Sequence, residues 1–226
     1  TIERRCVEFD IKARVNKFKT YEEKICDSEL TMWYILGLFC ADGWLGHKGK
    51  SFNIGLSHDK GKLLLESIAT FLGEHPVYTY DERNVLTIRN EKLITWLQSK
   101  YQLLNVHTKT YSLYMRPDIF SQETFLLYMR GVIDGDGCIE IKKNSKDIMV
   151  FKRIRILTAS KPYIQQLCEL TLEFTGIKAL YKEVRGYHQY GIFKQKDGKE
   201  FLDLVYSNQD VELKLINKYE RYLQIR

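Results

Sequence analysis

Two stretches of this chain resemble each other, and in both an apolar run ends at an Asp-Gly pair. The first reads WYILGLFCADGWL at residues 33–45 and the second reads LYMRGVIDGDGCI at residues 127–139, which aligns Asp42 with Asp136. One Asp-Gly pair after an apolar helix is typical of an ordinary turn. A second copy in the same surroundings indicates a duplicated supersecondary unit instead.

The order of predicted elements after each stretch supports this duplication. Each half has a helix that ends at the acid, two strands joined by a turn, a second helix, two more strands and a third helix. A further helix near VELKLINKYERYLQ, at residues 211–224, is expected to close the second half. Candidate N-cap residues precede the predicted helices at Asp27, Ser28, Asp59, Ser121 and Ser160. The predicted fold class is therefore α+β, with two pseudo-symmetric αββαββα units.

The length of 226 residues is sufficient for two units of this kind. We predict an N-terminal extension of unknown role at residues 1–28, a first unit at 29–110, a linker at 111–121 and a second unit at 122–226. The linker contains Pro117 and ends at Ser121.

Composition restricts the class of protein. The formal net charge of +6 favours a polyanionic partner such as nucleic acid. Five cysteines without a CxxC spacing argue against a zinc site and against a disulfide framework, so we expect reduced thiols in an intracellular protein. No apolar run approaches the roughly 18 residues of a membrane span, and no signal peptide is recognisable. We therefore expect no membrane partner.

Small residues lie four positions apart on one face of each predicted motif helix, at Gly37 and Ala41 and at Gly131 and Gly135. This spacing lets two helix backbones approach closely, because no side chain holds them apart. If the two helices pack together, Asp42 and Asp136 lie side by side at their C-terminal ends. We expect Gly43 and Gly137 to end the helices.

Two carboxylates at adjacent helix C-termini repel each other and oppose the helix dipoles. Bound divalent cations would relieve that repulsion, and oxygen ligands favour magnesium. A site of this kind suits hydrolysis of a phosphodiester. An EF-hand is excluded, because the sequence KKNSKD at residues 142–147 is basic where a calcium loop needs acids.

The two segments resemble the paired motif of the LAGLIDADG homing endonucleases, in the single-chain form with two motifs. The matching residues are ILGLFCADG at 35–43 and MRGVIDGDG at 129–137. The resemblance implies two saddle-shaped antiparallel sheets that lie along double-stranded DNA. It also implies a monomer that cuts both strands across the minor groove and leaves short 3′ overhangs. The implied cofactor is Mg²⁺, as two or three divalent ions that Mn²⁺ or Ca²⁺ can replace in a crystal.

The resemblance also implies roles for individual residues. The eighth motif position is the essential acid and metal ligand, here Asp42 and Asp136, and the preceding residues Ala41 and Gly135 belong to the same metal site. At the sixth position Cys40 replaces the usual aspartate and Asp134 retains it, so we expect Asp134 to be dispensable. Basic residues near the metals correspond to Lys109 and Lys218, with Lys214 as a substitute for Lys218.

A further pocket position follows the second strand of each unit. It corresponds to His58 in the first unit and Ala159 in the second. We expect His58 to position water or to act as a general base.

The DNA-binding face is expected on the solvent side of the strands. In the first unit, burial of Phe52, Ile54 and Leu56 leaves Asn53, Gly55 and Ser57 facing the groove. In the second, burial of Ile154 and Ile156 exposes Arg153 and Arg155. Aligning Ser57 with Thr158 puts these two assignments out of phase, which indicates either one wrong assignment or a bulge.

Basic residues in turns and hairpins are further candidate DNA contacts, mostly to phosphate. They are Lys48, Lys50, Arg83, Arg89, Lys142, Lys143, Lys182 and Arg185. Several tyrosines are expected to pack within the sheets, namely Tyr78, Tyr80, Tyr181, Tyr187 and Tyr190.

Together these features predict a homing endonuclease, that is, a site-specific phosphodiester hydrolase acting on DNA. Two alternatives stay open, an RNA maturase that binds an intron and a DNA-binding protein without cleavage. The paired acids disfavour the second alternative, because a pure DNA-binding protein has no need of two acids beside a phosphate.

Overall fold

The computed structural model describes residues 24–46, 49–73, 75–100 and 113–225. Two predicted site residues, Lys48 and Lys109, and most of the predicted N-terminal extension lie outside the described residues. The first unit contains α1 (Leu30–Asp42), β1 (Gly43–Gly46), β2 (Ser51–Ser57), α2 (His58–Phe71), β3 (Val77–Tyr80), β4 (Arg83–Ile88) and α3 (Glu91–Lys100).

A short 3₁₀ helix (Pro117–Ile119) precedes the second unit. This unit contains α4 (Gln122–Gly135), β5 (Gly137–Lys143), β6 (Met149–Thr158), α5 (Lys161–Thr175), β7 (Leu180–Val184), β8 (Tyr187–Ile192), α6 (Gln195–Val205) and α7 (Ile216–Leu223). Each unit has one four-stranded antiparallel sheet, in the orders β1-β2-β4-β3 and β5-β6-β8-β7. The predicted α+β fold of two αββαββα units is confirmed, with α7 as an additional helix in the second unit.

The motif helices α1 and α4 form the centre of the molecule and pack on each other. All residues of α1 from Met32 to Cys40 are buried, because the helix lies between its own sheet and α4. A Cβ atom added at Gly37 would collide with the carbonyl oxygen of Tyr128, and one added at Gly131 would collide with that of Tyr34. The helices therefore touch backbone to backbone, as the spacing of small residues predicts.

The glycines that follow the two acids are required for a different reason from the one predicted. Gly43 has φ −95° and ψ 163°, which is extended backbone and not the left-handed conformation of a helix stop. A Cβ atom at Gly43 would lie 2.6 Å from the carbonyl oxygen of Phe39, and one at Gly137 would lie 2.5 Å from that of Ile133. Glycine is needed here because each strand folds back directly over the last turn of its motif helix.

The helix caps agree only partly with the predictions. Ser121 caps α4, where its hydroxyl accepts a hydrogen bond from the Thr124 amide (3.3 Å) and the Thr124 hydroxyl accepts one from the Ser121 amide (2.8 Å). Ser160 lies at the N-cap of α5, but its hydroxyl donates to the carbonyl of Leu113 (2.9 Å). Asp59 lies within the first turn of α2, which begins one residue earlier.

The predicted cap of α1 is also wrong, because the N-cap residue is Glu29 and forms no side-chain cap. The carboxylate of Asp27 instead accepts hydrogen bonds from the indole of Trp96 (2.7 Å) and the amino group of Lys100 (2.6 Å). This contact attaches the chain before α1 to α3. Among the residues described, no helix has both the length and the apolar character needed to cross a membrane.

The strand register explains the apparent mismatch between the two predicted DNA faces. Gly43 pairs with Ile54 in the first sheet, and Gly137 pairs with Ile156 in the second. Since the two glycines are equivalent in the repeat, the two isoleucines are equivalent as well, and both are buried. The predicted inward residues of β2 and β6 were therefore both right.

The mismatch between the two predicted DNA faces came from aligning the end of β2 with the wrong residue of β6. By the observed pairing, Ser57 corresponds to Ala159 and not to Thr158. The second sheet does contain a bulge, where Lys152 is the extra residue opposite the step from Glu140 to Ile141. That bulge lies nearer the hairpin turn and does not cause the mismatch.

Candidate active site and nucleic-acid interface

The two acids lie at adjacent ends of the motif helices. Asp42 is the last residue of α1, and Asp136 follows α4 directly. A Cβ atom added at Gly135 would lie 2.9 Å from Oδ2 of Asp42 and would collide with Cβ of Ala41. The Asp42 carboxylate therefore lies against the residue that precedes Asp136. Asp42 is half-buried and Asp136 is exposed, so solvent reaches both carboxylates.

Lys218, from α7, reaches the C-terminal end of α4. Its amino group donates hydrogen bonds to the carbonyl of Ile133 (3.3 Å) and to that of Gly137. Burial lowers the pKa of the Lys218 amino group, and the nearby carboxylates of Asp134 and Asp42 oppose that shift. The lysine supplies a positive charge at the negative end of the helix, next to the acids.

A cleft of about 760 Å³ opens beside Asp42 between the two units. It is lined by Asp42, Gly55, Leu56, Ser57, His58, Asp59, Lys60, Gly61, Arg83, Asp134, Gly135, Leu215, Asn217 and Lys218. Three of the predicted catalytic residues, Asp42, His58 and Lys218, thus share one cleft. Their catalytic roles stay predictions.

His58 joins β2 to α2 in a left-handed conformation, with φ 66°. Its amide donates to the carbonyl of Glu82 (3.4 Å), and its own carbonyl accepts from the side-chain amide of Asn84 (3.0 Å). A positive φ costs a non-glycine residue of order 1 kcal/mol, and here these two hydrogen bonds hold it. The strand register makes Ser160, and not Ala159, the counterpart of His58. That serine is buried and bonded to Leu113, so the second unit has no equivalent exposed side chain.

Asp134 was predicted to be dispensable, but the structure gives it a role in holding the fold together. Its carboxylate is buried and accepts hydrogen bonds from the hydroxyls of Tyr34 (2.8 Å) and Tyr206 (3.1 Å) and from the amide of Leu215 (2.7 Å). Burial raises the pKa of this carboxyl to about 6, although the three hydrogen bonds favour the ionised form. Asp134 therefore connects both motif helices to the segment that leads to Lys218.

Arg130 is a second buried polar residue, and its role was not predicted from the sequence. Its guanidinium donates to the carbonyls of Val205 (3.0 Å), Asn208 (2.8 Å) and Val211 (2.8 Å). These bonds hold the turn after α6 against α4. An arginine inside an apolar helix was a signal for such a role, because a buried charge needs several partners.

The donor set at the acids suits a magnesium ion that also takes ligands from a substrate. Within residues 24–46, 49–73, 75–100 and 113–225, no group of three or more His, Cys, Asp or Glu side chains is arranged to hold a metal. Two accessible carboxylates at helix ends are a partial ligand set. Magnesium is commonly bound by one or two carboxylates, with water and phosphate oxygens completing the octahedron. The carbonyls of Ala41 and Gly135 belong to last helical turns, where backbone oxygens lack intrahelical partners.

The outer face of the first sheet differs from the prediction at Asn53. This side chain is buried, and its amide nitrogen donates to the carbonyl of Trp44 (3.2 Å) and the hydroxyl of Ser51 (3.2 Å). Its carbonyl oxygen accepts from the hydroxyl of Thr87 (2.8 Å). Asn53 therefore stabilises the sheet and does not face the groove with free hydrogen-bonding groups.

Exposed aromatic and basic groups occupy the rest of that face. The guanidinium of Arg83 lies over the Trp44 ring (5.4 Å to the centroid) and covers Gly55. Tyr78 and Tyr80 are exposed and stack on each other at 6.3 Å, against the expectation that they pack inside the sheet. In the second sheet Tyr187 is exposed, whereas Tyr190 is buried as predicted and Tyr181 is half-buried.

The other predicted DNA contacts fall into two groups. Arg153 and Arg155 are half-buried on the outer face of the second sheet, beside Glu140. The exposed residues are Lys50, Ser57, Arg89, Lys142, Lys143, Lys182 and Arg185. They lie in the hairpins and strand ends of both sheets, so a long ligand along the sheets would meet charge from both units.

The chain is similar to known proteins both in the sequence of its second unit and in its fold. Residues 123–206 match the model of a LAGLIDADG-like domain. The structure of full-length DUF199/WhiA from Thermatoga maritima has a TM-score of 0.55 and 17% identity, over 90% of this chain and 64% of that chain. This chain therefore spans less than two thirds of the length of that protein.

Two nucleases that were solved with bound DNA resemble this chain with similar TM-scores and identities. I-DmoI in complex with DNA and Mn has a TM-score of 0.57 and 16% identity, over 81% of this chain and 99% of that chain. Meganuclease I-SmaMI bound to uncleaveable DNA has a TM-score of 0.55 and 16% identity, over 84% of this chain and 86% of that chain. A search of curated proteins finds no match. At these identities the structural similarity establishes the fold.

Proposed function

We propose that this chain is a LAGLIDADG endonuclease of the two-unit form, which cuts both strands of DNA at a specific site. Its residues 123–206 match a LAGLIDADG-like domain, and I-DmoI shares its fold. The observation that carries this proposal is the convergence of Asp42 and Asp136 at the ends of two helices in backbone contact. A fold selected for stability alone would avoid two acids at adjacent helix C-termini. Their position suits a phosphodiester that crosses the junction between the sheets.

The two acids are proposed to hold magnesium, as two or three ions, together with phosphate oxygens of the DNA. Bound there, such ions would supply Lewis acidity and lower the pKa of an attacking water. Manganese in the I-DmoI complex, and magnesium with a variant of I-DmoI on its target DNA, are consistent with this choice. Side chains of the protein would position the water and stabilise charge on the phosphate.

Lys218 and His58 are the proposed supporting groups in the cleft. The Lys218 ammonium lines the same cleft as Asp42 and is suited to stabilise negative charge that develops on the phosphate. His58 is exposed on the same cleft and is suited to orient water or to accept its proton. A single chain supplies both acids, so cleavage by a monomer is part of the proposal.

Double-stranded DNA is the proposed substrate, because charged and aromatic side chains lie on the outer faces of both sheets. I-DmoI and I-SmaMI, which share the fold, were solved with DNA bound. The net charge of +6 agrees with a polyanionic partner. A long footprint follows, since both sheets contribute candidate contacts.

The direct test is a cleavage assay on a randomised double-stranded DNA library, followed by sequencing of the cut ends. Incubation with Mg²⁺ is expected to give a recurrent site with short 3′ overhangs, and a parallel reaction with a chelator is expected to give none. Intact DNA in both reactions, at protein concentrations that bind the library, would contradict the proposed endonuclease.

That outcome would favour a second candidate, a DNA-binding protein without cleavage. One observation supports this second candidate. The LAGLIDADG domain also occurs in DUF199/WhiA, and not only in chains named as endonucleases. Recovery of one enriched sequence without cleavage would separate this candidate from an endonuclease.

A further inference from the structure

Glu140 occupies an unusual place for an acid, on the outer face of the second sheet. It lies on β5, and its Cα partner on β6 is Arg153. Ile154 and Ile156, the neighbours of the β6 arginines, are buried on the opposite face. Glu140 and the arginines therefore point to the side on which the proposed function requires DNA.

Three cations surround the Glu140 carboxylate. Nε of Arg153 lies 2.8 Å and Nζ of Lys152 lies 3.2 Å from its Oε2 atom, and Nη2 of Arg155 contacts Oε1. The side chain of Glu140 is only 18% exposed. The Arg153 guanidinium, with Lys152 and Arg155, lowers the pKa of this carboxyl to about 2, so Glu140 is ionised at neutral pH.

The arginines keep hydrogen-bonding capacity in spite of these ion pairs. Their closest contacts with Glu140 are made by Nε of Arg153 and Nη2 of Arg155, and both side chains are 30% exposed. Each guanidinium has five N–H donors, so donors remain for an acceptor on a ligand that lies on this face.

The corresponding positions of the first sheet have no such arrangement. By the strand register, Gly46 corresponds to Glu140, Ser51 to Arg153 and Asn53 to Arg155. The first sheet thus has three uncharged residues where the second carries Glu140, Arg153 and Arg155, and only the position of Lys152 keeps its charge, as Lys50. The cluster is therefore a property of one half of the interface and not of the repeated fold.

An acid on this face opposes the attraction between the protein and DNA phosphates. Affinity for DNA of any sequence would be higher without it, because that affinity depends on net positive charge. What the acid supplies is order, since it restricts two long side chains to one arrangement before binding. A fixed guanidinium suits the paired acceptors O6 and N7 of guanine in the major groove.

We propose that Glu140 is a specificity-determining residue, which holds Arg153 and Arg155 in a fixed array that reads guanine in the half of the target bound by the second sheet. This inference rests on the proposed DNA-binding function. In this arrangement Glu140 lowers affinity for unrelated DNA and increases the selectivity of the two arginines. The first sheet, which lacks the cluster, reads its half of the target by other contacts.

The test uses the whole chain and compares Glu140→Gln with Asp147→Asn. Asp147 lies in the turn of the same hairpin and pairs with Lys143 (2.8 Å), so each variant removes one paired acid from this hairpin. Binding sites are first selected from a randomised duplex library with wild-type protein. The dissociation constants of each protein for the selected site and for a scrambled duplex are then measured over a range of salt concentrations.

Wild-type protein is expected to select guanine at defined positions in one half of the site. Glu140→Gln is expected to bind scrambled DNA more tightly and to lose about tenfold or more of its selectivity, each good arginine–guanine contact being worth roughly that factor. Its slope of log affinity against log salt should steepen by up to about one. Asp147→Asn should change the slope without loss of selectivity. Equal selectivity of the two variants would overturn the proposal.

A second variant keeps the test valid if Glu140→Gln fails to fold. Arg155→Lys preserves the charge but removes the planar fork, and it is expected to lose the guanine preference at one position of the selected site. An unchanged preference would overturn the proposal. Wild-type protein that binds no duplex DNA would overturn the proposed function and this inference together, whereas binding without guanine selection would overturn this inference alone.

Discussion

The hydroxyl of Tyr34 in the first unit donates a 2.8 Å hydrogen bond to the buried carboxylate of Asp134 in the second unit. In the repeat, Tyr34 corresponds to Tyr128, whose hydroxyl instead forms a 2.6 Å hydrogen bond with that of Tyr163. Asp134 itself corresponds to Cys40, which is buried. The two halves thus share the helix contact, but the carboxylate that accepts these hydrogen bonds belongs to the second half.

Tyr34→Phe should destabilise the fold by about 1–3 kcal/mol, because a buried carboxylate loses one of its donors. Equilibrium unfolding in urea measures this change. Tyr187→Phe is the matched control, since Tyr187 is exposed and should have almost no effect. Equal stability of the two variants would contradict a structural role for the Asp134 contact.

Gly131→Leu should destabilise the protein by about 1–3 kcal/mol or more, because the added side chain must push α1 and α4 apart. The carbonyl of Tyr34 already lies where its Cβ atom would be. Thermal unfolding compares this variant with Gln122→Leu, a substitution at the exposed start of the same helix. A melting temperature of Gly131→Leu equal to that of wild type would show that the helices do not pack at this glycine.

The ion pairs of Glu140 predict a specific dependence of stability on pH. The folded pKa of about 2 is below the ordinary value of 4.5, so this carboxylate stabilises the fold above pH 4.5, and that contribution is lost as the pH falls from 4.5 towards 2. The difference in unfolding free energy between wild type and Glu140→Gln should therefore shrink across this window. A difference that is constant from pH 6 to pH 2.5 would be inconsistent with the ion pairs.

Asp136→Asn should abolish double-strand cleavage and leave DNA binding intact or tighter, because a negative charge beside phosphate is lost while the fold is unchanged. Cleavage of supercoiled plasmid that carries the selected site, together with a gel-shift assay, measures both effects. Asp118→Asn is the control, as Asp118 is exposed and pairs only with Arg116 among the described contacts. The endonuclease assignment is falsified if Asp136→Asn cuts both strands at the wild-type rate.

Lys218→Gln should reduce the cleavage rate by roughly 10²–10³, the usual effect of losing one group that stabilises transition-state charge. The Michaelis constant should change little if the lysine acts mainly on the transition state. Lys214→Gln is the control, because Lys214 lies over the ring of Tyr219 (4.3 Å) and not in the cleft. A similar loss of rate in both variants would indicate a general effect of charge.

Much of the fold was predictable because it follows from local patterns. The repeat, the order of helices and strands and the spacing of Gly37 and Gly131 all depend on residues close together in the chain, and the structure agrees with them. The inward residues of β2 and β6 were also predicted correctly. Among the strand predictions, the relative alignment of β2 and β6 was wrong, since equivalent pairs are defined across the sheet and not along one strand. The cap of α1 was also wrong, because Asp27 has its partners on α3.

The partners of individual polar residues were not predictable in the same way. Asn53 was expected to face DNA, but Trp44, Ser51 and Thr87 use its whole amide. Glu140 carried no signal in the sequence, because the residues that surround it come from the next strand.

The sequence by itself determined that this protein has two αββαββα units and that two acids follow two closely packed helices. Those properties come from helical and strand periodicity and from residue size, which are local. Only the tertiary structure decided that Asp134 is a buried connection, that His58 has no exposed counterpart and that an acid pairs with the arginines of one sheet. Each of these depends on hydrogen bonds or ion pairs between separate elements, and such partners are chosen by packing in three dimensions.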